Sequence, residues 1–196
     1  VSSTDTYTII PAETAPGTYT LDIAVEDVDG DVGTLSADFV IASLPPEVSI
    51  DFVPPAEPMT EPQLITVTAG GQTNITGVDF AINGISVATD NEAPYEFTLD
   101  PFTLPVGDHT LEVSVTNAGG VTTGIEQAFS VGSVPPQLSI TGVNADTVLS
   151  EALTGNVLAV GQSAISEVSV TANGAEIASG TDVDTLDFTL DPVDFA

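Results

Sequence analysis

Residues 97–115 read FTLDPFTLPVGDHTLEVSV, and the end of that run alternates without a break: Leu111, Val113 and Val115 share one parity, while Thr110, Glu112, Ser114 and Thr116 share the other. A period of two sends alternate side chains to opposite faces of a strand, one toward a core and one toward water. Upstream, Asp100-Pro101 and Pro105 with Gly107 mark turns, so one strand stops before this one starts. The pattern is not unique in the chain. At a shift of about 90 residues, Tyr7 falls on Phe97, Pro11 on Pro101, Gly17 on Gly107, Leu21 on Leu111, Ile23 on Val113 and Val25 on Val115. Phe39 falls on Phe129, Pro45-Pro46 on Pro135-Pro136, Ile50 on Ile140, and Asn83-Gly84 on Asn173-Gly174. The Phe-Thr-Leu-Asp-Pro run recurs at 188–192, one residue late. A register held this long is the signature of tandem repetition.

Each repeat reads as β. Val48, Ile50 and Phe52 alternate with polar positions, as do Ile65 and Val67, and Val78, Phe80 and Ile82. Thr, Val and Ile dominate, as pleated, half-buried strands favour. Gly70-Gly71, Asn83-Gly84 and Asn117 through Gly120 punctuate the strands, and Asn-Gly between apolar alternations is the strongest short hairpin signal. No segment sustains a helical period. About seven short strands in about 90 residues predict a β-sandwich, with Leu111, Val113, Val115 and Phe129 in its core. The spacing places the last strands of one domain at residues 1–44, a complete domain at 45–134 and the first strands of a third at 135–196. Both outer pieces are expected to pack against further protein, through self-association into a filament or continuation of a longer repeat array. The strand at Tyr7–Pro11 duplicates the one at Phe188–Pro192. A domain joined from two copies would carry it twice, which favours the continuous array over donor-strand assembly.

Composition narrows the chemistry. The chain has no Lys or Arg, 29 Asp plus Glu and one His, where ordinary soluble proteins carry about a quarter charged residues of both signs. Side-chain salt bridges are therefore excluded except through His109, and the absence of Cys excludes disulfides and thiolate metal sites. A formal charge of −29 repels nucleic acid and anionic membranes, and no apolar run reaches the length of a membrane span. The chain is nevertheless 42% hydrophobic, enough to build cores rather than remain disordered.

The run Pro16-Gly17-Thr18-Tyr19-Thr20-Leu21 and its partner from Pro105 to Leu111 carry the look of the corner before the sixth strand of an Ig sandwich. Together with the Pro-Pro start, the Asn-Gly hairpin, Phe-Thr-Leu-Asp-Pro and the Gly-bearing last hairpin, the chain resembles the Ig-like repeats of large bacterial surface proteins. Some of those proteins also carry a von Willebrand A-type domain elsewhere. The resemblance implies tandem Ig-like Greek-key β-sandwiches, an extracellular or cell-surface position in a prokaryote, and a structural or adhesive role. It is specific for the module and not for a ligand.

The candidate chemistry is sparse. His109 occupies the slot of Tyr19, where a corner side chain ties the strand back on itself, and nothing marks a nucleophile for it to activate. Asp27, Asp29 and Asp31 alternate around Gly30, a spacing that can present oxygen ligands to Ca²⁺. A plain Asp/Gly hairpin turn is the competing reading, since Asn117 through Gly120 keeps the turn residues in the next repeat and loses the carboxylates. Asp182, Asp184, Asp187, Asp191 and Asp194 read as solvated faces and loops, with turn roles for Asp100 and Asp191 before proline. No cofactor is required, with Ca²⁺ the one candidate, and no enzyme activity is expected. With no Trp and three scattered Tyr, an aromatic carbohydrate platform is not expected either. The linkers Ala42–Pro46 and Gly132–Pro136 are short and stiffened by proline. They favour a structural repeat of an extracellular filament, sheath or surface stalk. The alternative is an adhesin module that binds a surface partner or glycan through its loops, with the Pro-rich stretch 51–62 as the candidate loop.

Overall fold

In the computed structural model, which describes residues 6–195, strands and short 3-10 turns account for all regular structure. Among the described residues no helix is long and apolar enough to cross a membrane. The architecture is all-β, as the alternation requires. In the central repeat, β3 (Glu47–Asp51), β4 (Gln63–Gly70) and β7 (Tyr95–Leu99) form one sheet in the order β3-β4-β7. β5 (Ile75–Ile82), β6 (Ile85–Asp90), β8 (Gly107–Asn117) and β9 (Thr122–Val131) form the other in the order β6-β5-β8-β9. The chain changes sheet between β4 and β5 and again around β7, giving an Ig-like sandwich.

The apolar parity of each strand makes the core. Ile65, Val67, Tyr95 and Leu99 come from one sheet, and Val78, Phe80, Ile82, Leu111, Val113, Val115 and Phe129 from the other; all are buried. The rings of Phe80 and Phe97 stack with centroids 5.4 Å apart, and Phe52 meets Phe129 edge-on. Each large side chain buried this way is worth about 1.5–3 kcal/mol.

The turns follow their chemistry. Asn83 and Gly84 have φ of 51° and 79°, and Asn173 and Gly174 have 51° and 84°, the left-handed pair that a two-residue hairpin turn requires. Asp100 Oδ1 accepts from the Phe102 N–H and Asp191 Oδ1 from the Val193 N–H, so both aspartates cap the proline turn that follows them. The Tyr19 hydroxyl donates to the Ala15 carbonyl at 2.7 Å, the tie-back expected of this corner. His109 is buried, with its ring stacked on Phe129 and its Nδ1 2.8 Å from Asn83 Nδ2. Asn83 Oδ1 accepts from the Thr110 N–H, which leaves the amide nitrogen as the donor to the imidazole.

Within the stretch 51–62, Met59 forms a parallel bridge with Val131 and is buried, while residues 55–58 and 60–62 are exposed. The Met59 N–H donates to Ser130 and its carbonyl accepts from Gly132, both at 2.8 Å. Prolines on both sides keep the bridge to one residue, so alternation cannot reveal it.

In the flanking repeats, β1 (Gly17–Glu26) and β2 (Val32–Ile41) form a two-stranded antiparallel sheet. β10 (Gln137–Thr141), β11 (Leu153–Val160) and β14 (Thr185–Leu190) form a sheet in the order β10-β11-β14, and β12 (Glu167–Ala172) pairs with β13 (Ala175–Thr181). The chain separates into two compact units. One comprises Val1–Pro54, Gln63–Leu99 and His109–Phe129; the other comprises Pro55–Pro62, Asp100–Asp108 and Ser130–Ala196.

Candidate functional site at the repeat junctions

The most ordered polar chemistry lies where one repeat passes into the next. Gln72 sits in the loop between β4 and β5. Its Nε2 donates to the carbonyls of Pro11 and Thr14 at 2.6 and 2.7 Å, and its Oε1 accepts from the Leu44 N–H at 2.9 Å. Pro11–Glu13 is a 3-10 turn whose Pro11 carbonyl also accepts from the Thr14 N–H at 3.2 Å, so Gln72 adds a second donor to it. A primary amide supplies two donors and one acceptor in one plane, so a single side chain joins the corner of the preceding repeat to the linker that follows it. Gly71 brings the loop close: a Cβ there would stand 3.3 Å from the Pro46 Cα.

The same arrangement recurs one repeat later. Gln162 Nε2 donates to Pro101, Leu104 and Gly132 carbonyls at 2.7, 3.2 and 3.3 Å, while its Oε1 accepts from the Val134 N–H at 2.7 Å. Gln72, Pro11, Thr14 and Leu44 map onto Gln162, Pro101, Leu104 and Val134 at the repeat shift of about 90 residues. Two independent junctions therefore use one device.

A second clamp grips the first linker. Asn117 is buried at the β8–β9 turn, and its Nδ2 donates to the Leu44 carbonyl at 2.8 Å and to Ser43 Oγ at 3.3 Å. Its Oδ1 accepts from the N–H groups of Gly119 and Val121 at 3.0 and 3.1 Å. A side chain on Gly119 would overlap Ser43 Oγ. Leu44 is thus held by its N–H from Gln72 and by its carbonyl from Asn117.

Sequence reading identified the linkers but missed these two amides. The available signal was Gly71-Gln72 recurring as Gly161-Gln162, a polar residue kept in register inside a loop. Removing one amide takes the acceptor from a part-buried linker N–H and one donor from the corner carbonyls, at a cost of about 1–3 kcal/mol. Gln162→Ala is expected to speed hydrogen exchange at the Val134 amide, measured by NMR. Unchanged exchange there would mean that another group holds the linker.

The sequence-derived acidic site looks different in three dimensions. Asp27 Oδ1 accepts from the N–H groups of Asp29 and Asp31 at 2.9 and 3.0 Å. Asp27 thereby caps its turn as Asn117 caps the turn one repeat on. Asp29 and Asp31 contribute backbone N–H groups to it, and both are exposed. Among the described residues, no group of three His, Cys, Asp or Glu side chains is arranged to hold a metal ion. Of the late aspartates, Asp187 accepts from Asn156 Nδ2 at 2.8 Å across β14 and β11. Among the described residues, Asp90 is the one carboxyl with a clear displacement: the N–H of Glu96, and after it that of Glu92, hold it below the ordinary range. Because its folded pKa is depressed, its contribution is present above about pH 4 and is lost as pH falls through the folded value.

Residues 46–113, from the Pro-Pro start before β3 into β8, match the bacterial Ig domain family, in keeping with the Ig-like fold of the central repeat. Among solved structures, the chain is similar to the fibronectin(III)-like modules of Clostridium thermocellum CbhA. The identity is 23%, with 60% of this chain and 64% of that one covered at a TM-score of 0.41. It is similar to the N-terminal eight Ig domains of Down Syndrome Cell Adhesion Molecule, at 17% identity over 83% of this chain and 23% of that one, TM-score 0.38. It is similar to dimeric latent PorU from Porphyromonas gingivalis, at 12% identity over 92% and 26%, TM-score 0.35. The chain spans less than two thirds of each of these structures. No curated protein sequence matches it significantly.

Proposed function

We propose that the chain is a structural repeat of an extracellular filament, sheath or surface stalk, a stiff spacer with no catalytic role. The observation that supports this reading is the glutamine clamp repeated at both junctions, which fixes each linker to the corner before it and the loop after it. A loose array of binding domains has no need of such a device. On this reading the modules run over residues 1–44, 45–134 and 135–196, and the partners are copies of the same repeat, in an assembled filament or a longer array. The net charge of −29 keeps the repeats soluble and away from nucleic acid and anionic lipid. The alternative is an adhesin module whose candidate loop is the stretch 51–62, anchored at Met59 and exposed on either side of it.

Spin labels on cysteines introduced at Thr34 and Thr68, both exposed, test the stiffness of the first junction. A single narrow distance distribution is expected, broadening when Gln72→Ala and Asn117→Ala are combined. A broad distribution in the parent protein would refute the spacer reading.

Cations are expected to raise stability. Screening alone relieves self-repulsion, so the melting temperature should climb with NaCl. Ca²⁺ at the turn of Asp27, Asp29 and Asp31 would add stability by mass action. The expected result is a higher melting temperature in millimolar Ca²⁺ than in NaCl of equal ionic strength, with the excess abolished by Asp29→Asn plus Asp31→Asn. Equal melting in the two salts would show that the turn holds no ion.

A further inference from the structure

We propose that the loop carrying Gln162 is the seat for two segments of the preceding repeat, the strap 55–62 and the corner 100–108, so that both are held by the following repeat and open when it opens. This deepens the spacer reading and rests on it for its purpose: it names the surfaces that pass stability from one repeat to the next.

In sequence, Pro55–Pro62 lies between β3 and β4, and Asp100–Asp108 runs from the end of β7 into the first residues of β8, so both belong to the central repeat. In the fold they form one compact unit with Ser130–Ala196, while the strands on either side of them belong to the other unit.

The hydrogen bonds supply the reason, and Gly132 is the shared link. Its N–H donates to the Met59 carbonyl at 2.8 Å, which ties the linker to the strap, and its carbonyl accepts from Gln162 Nε2 at 3.3 Å. The same nitrogen donates to the Pro101 and Leu104 carbonyls of the corner at 2.7 and 3.2 Å. A primary amide nitrogen carries two hydrogens, and here both serve the preceding repeat, while Oε1 takes the Val134 N–H. Close packing accompanies the bonds. A Cβ on Gly132 would stand 2.9 Å from Thr60 Cγ2 and 3.3 Å from the Pro58 carbonyl oxygen, so the strap lies directly on the linker backbone.

The strap has little else to hold it. Met59 is 3% exposed, whereas residues 55–58 and 60–62 are exposed. Pro55, Pro58 and Pro62 have no N–H to donate. The backbone anchors of Met59 are the Ser130 carbonyl and the Gly132 N–H, and both residues lie in the unit that contains Gln162. A segment fixed at one residue, to a linker gripped by the next repeat, opens with that grip. Proteins open in cooperative units of this kind, and repeat arrays share stability through the interface between neighbours. Coupling is reciprocal, so the strap and corner also steady the loop that holds them.

Native-state hydrogen exchange on the full chain reads the coupling. The amides to follow are Met59 and Gly132 in the bridge and Leu104 in the corner, each hydrogen-bonded, with the amides of β8 as the reference. Phe188 is buried in the following repeat, so Phe188→Ala weakens that repeat by opening a cavity away from the junction. Exchange at Met59, Gly132 and Leu104 is expected to rise by about tenfold, with β8 unchanged. Complete unfolding of residues 135–196 in this variant would raise it as well, because the grip of Gln162 is then lost. Gln162→Ala should speed the same three amides while β11 and β14 keep their rates. Gln162→Glu keeps an acceptor for the Val134 N–H and loses the donors, so it should speed the three amides and spare Val134. A Phe188→Ala chain that exchanges faster in β11 and β14 but at the parent rate in the bridge and corner overturns the proposal. So does a Gln162→Ala chain whose bridge and corner keep the parent rates. Either result leaves the spacer reading standing, because the spin-label distances at the first junction decide it separately.

Discussion

Phe80→Ala is expected to unfold the central sandwich under mild denaturant, at a cost of about 3–5 kcal/mol. The side chain is fully buried and its ring stacks on Phe97 from the opposite sheet, so truncation opens a cavity that neither sheet can close without bending. β5 lies between β6 and β8 in its sheet, paired on both sides, and cannot move toward the void. Total stabilities of single domains are about 5–15 kcal/mol, so the loss removes a large share. The matching change on the β1–β2 hairpin, Ile23→Ala, removes an apolar group already in contact with water and should cost the single chain well under 1 kcal/mol. The chain has no Trp and three Tyr, so urea denaturation followed by circular dichroism is the practical readout. A loss below about 1 kcal/mol for Phe80→Ala would mean that the core repacks and that the jigsaw fit inferred from the stacked rings is wrong.

That contrast also marks what the sequence makes legible. Alternation is a local property, and it located β5 and β8 and their buried parity because each strand carries its own period of two. The same alternation in Leu21, Ile23 and Val25 names the face that ought to be covered, but burial belongs to the neighbours, and these residues are exposed. The Asn-Gly turns were legible because left-handed backbone at two consecutive positions admits few residues. Met59 was not, since a one-residue bridge has no period. Gln72 was harder still: the carbonyls it reaches are 61 and 58 residues away, and a glutamine in a loop looks like any solvated polar residue until its partners are placed. Asp27 shows the converse. Its spacing with Asp29 and Asp31 left both ligation and a hairpin turn open, and the fold supplies backbone donors to the Asp27 carboxylate at the head of the turn.

Asn117→Asp should be the most damaging single change at the junction, although it alters one atom. The new carboxylate keeps the oxygen that accepts from Gly119 and Val121, and Asp27 shows that a carboxylate performs that half of the task. It cannot perform the other half. The Nδ2 donor to the Leu44 carbonyl disappears, and an ionised oxygen faces that carbonyl at a site where Asn117 is 2% exposed. The chain has no Lys or Arg to neutralise it. The unpaired carbonyl costs about 1–3 kcal/mol, and the buried, uncompensated charge adds to it, for a total of about 3–5 kcal/mol when the group is ionised. Burial and the facing carbonyl both raise the carboxyl's folded pKa above its unfolded value. The penalty is therefore mildest in acid and grows as pH rises above about 4, levelling once the folded pKa is passed. Asn117→Ala loses both halves but introduces no charge, so its penalty should not vary with pH. Urea melts of the two variants between pH 4 and 8 separate the contributions. Parallel profiles would show that the introduced carboxylate carries no charge penalty at this site.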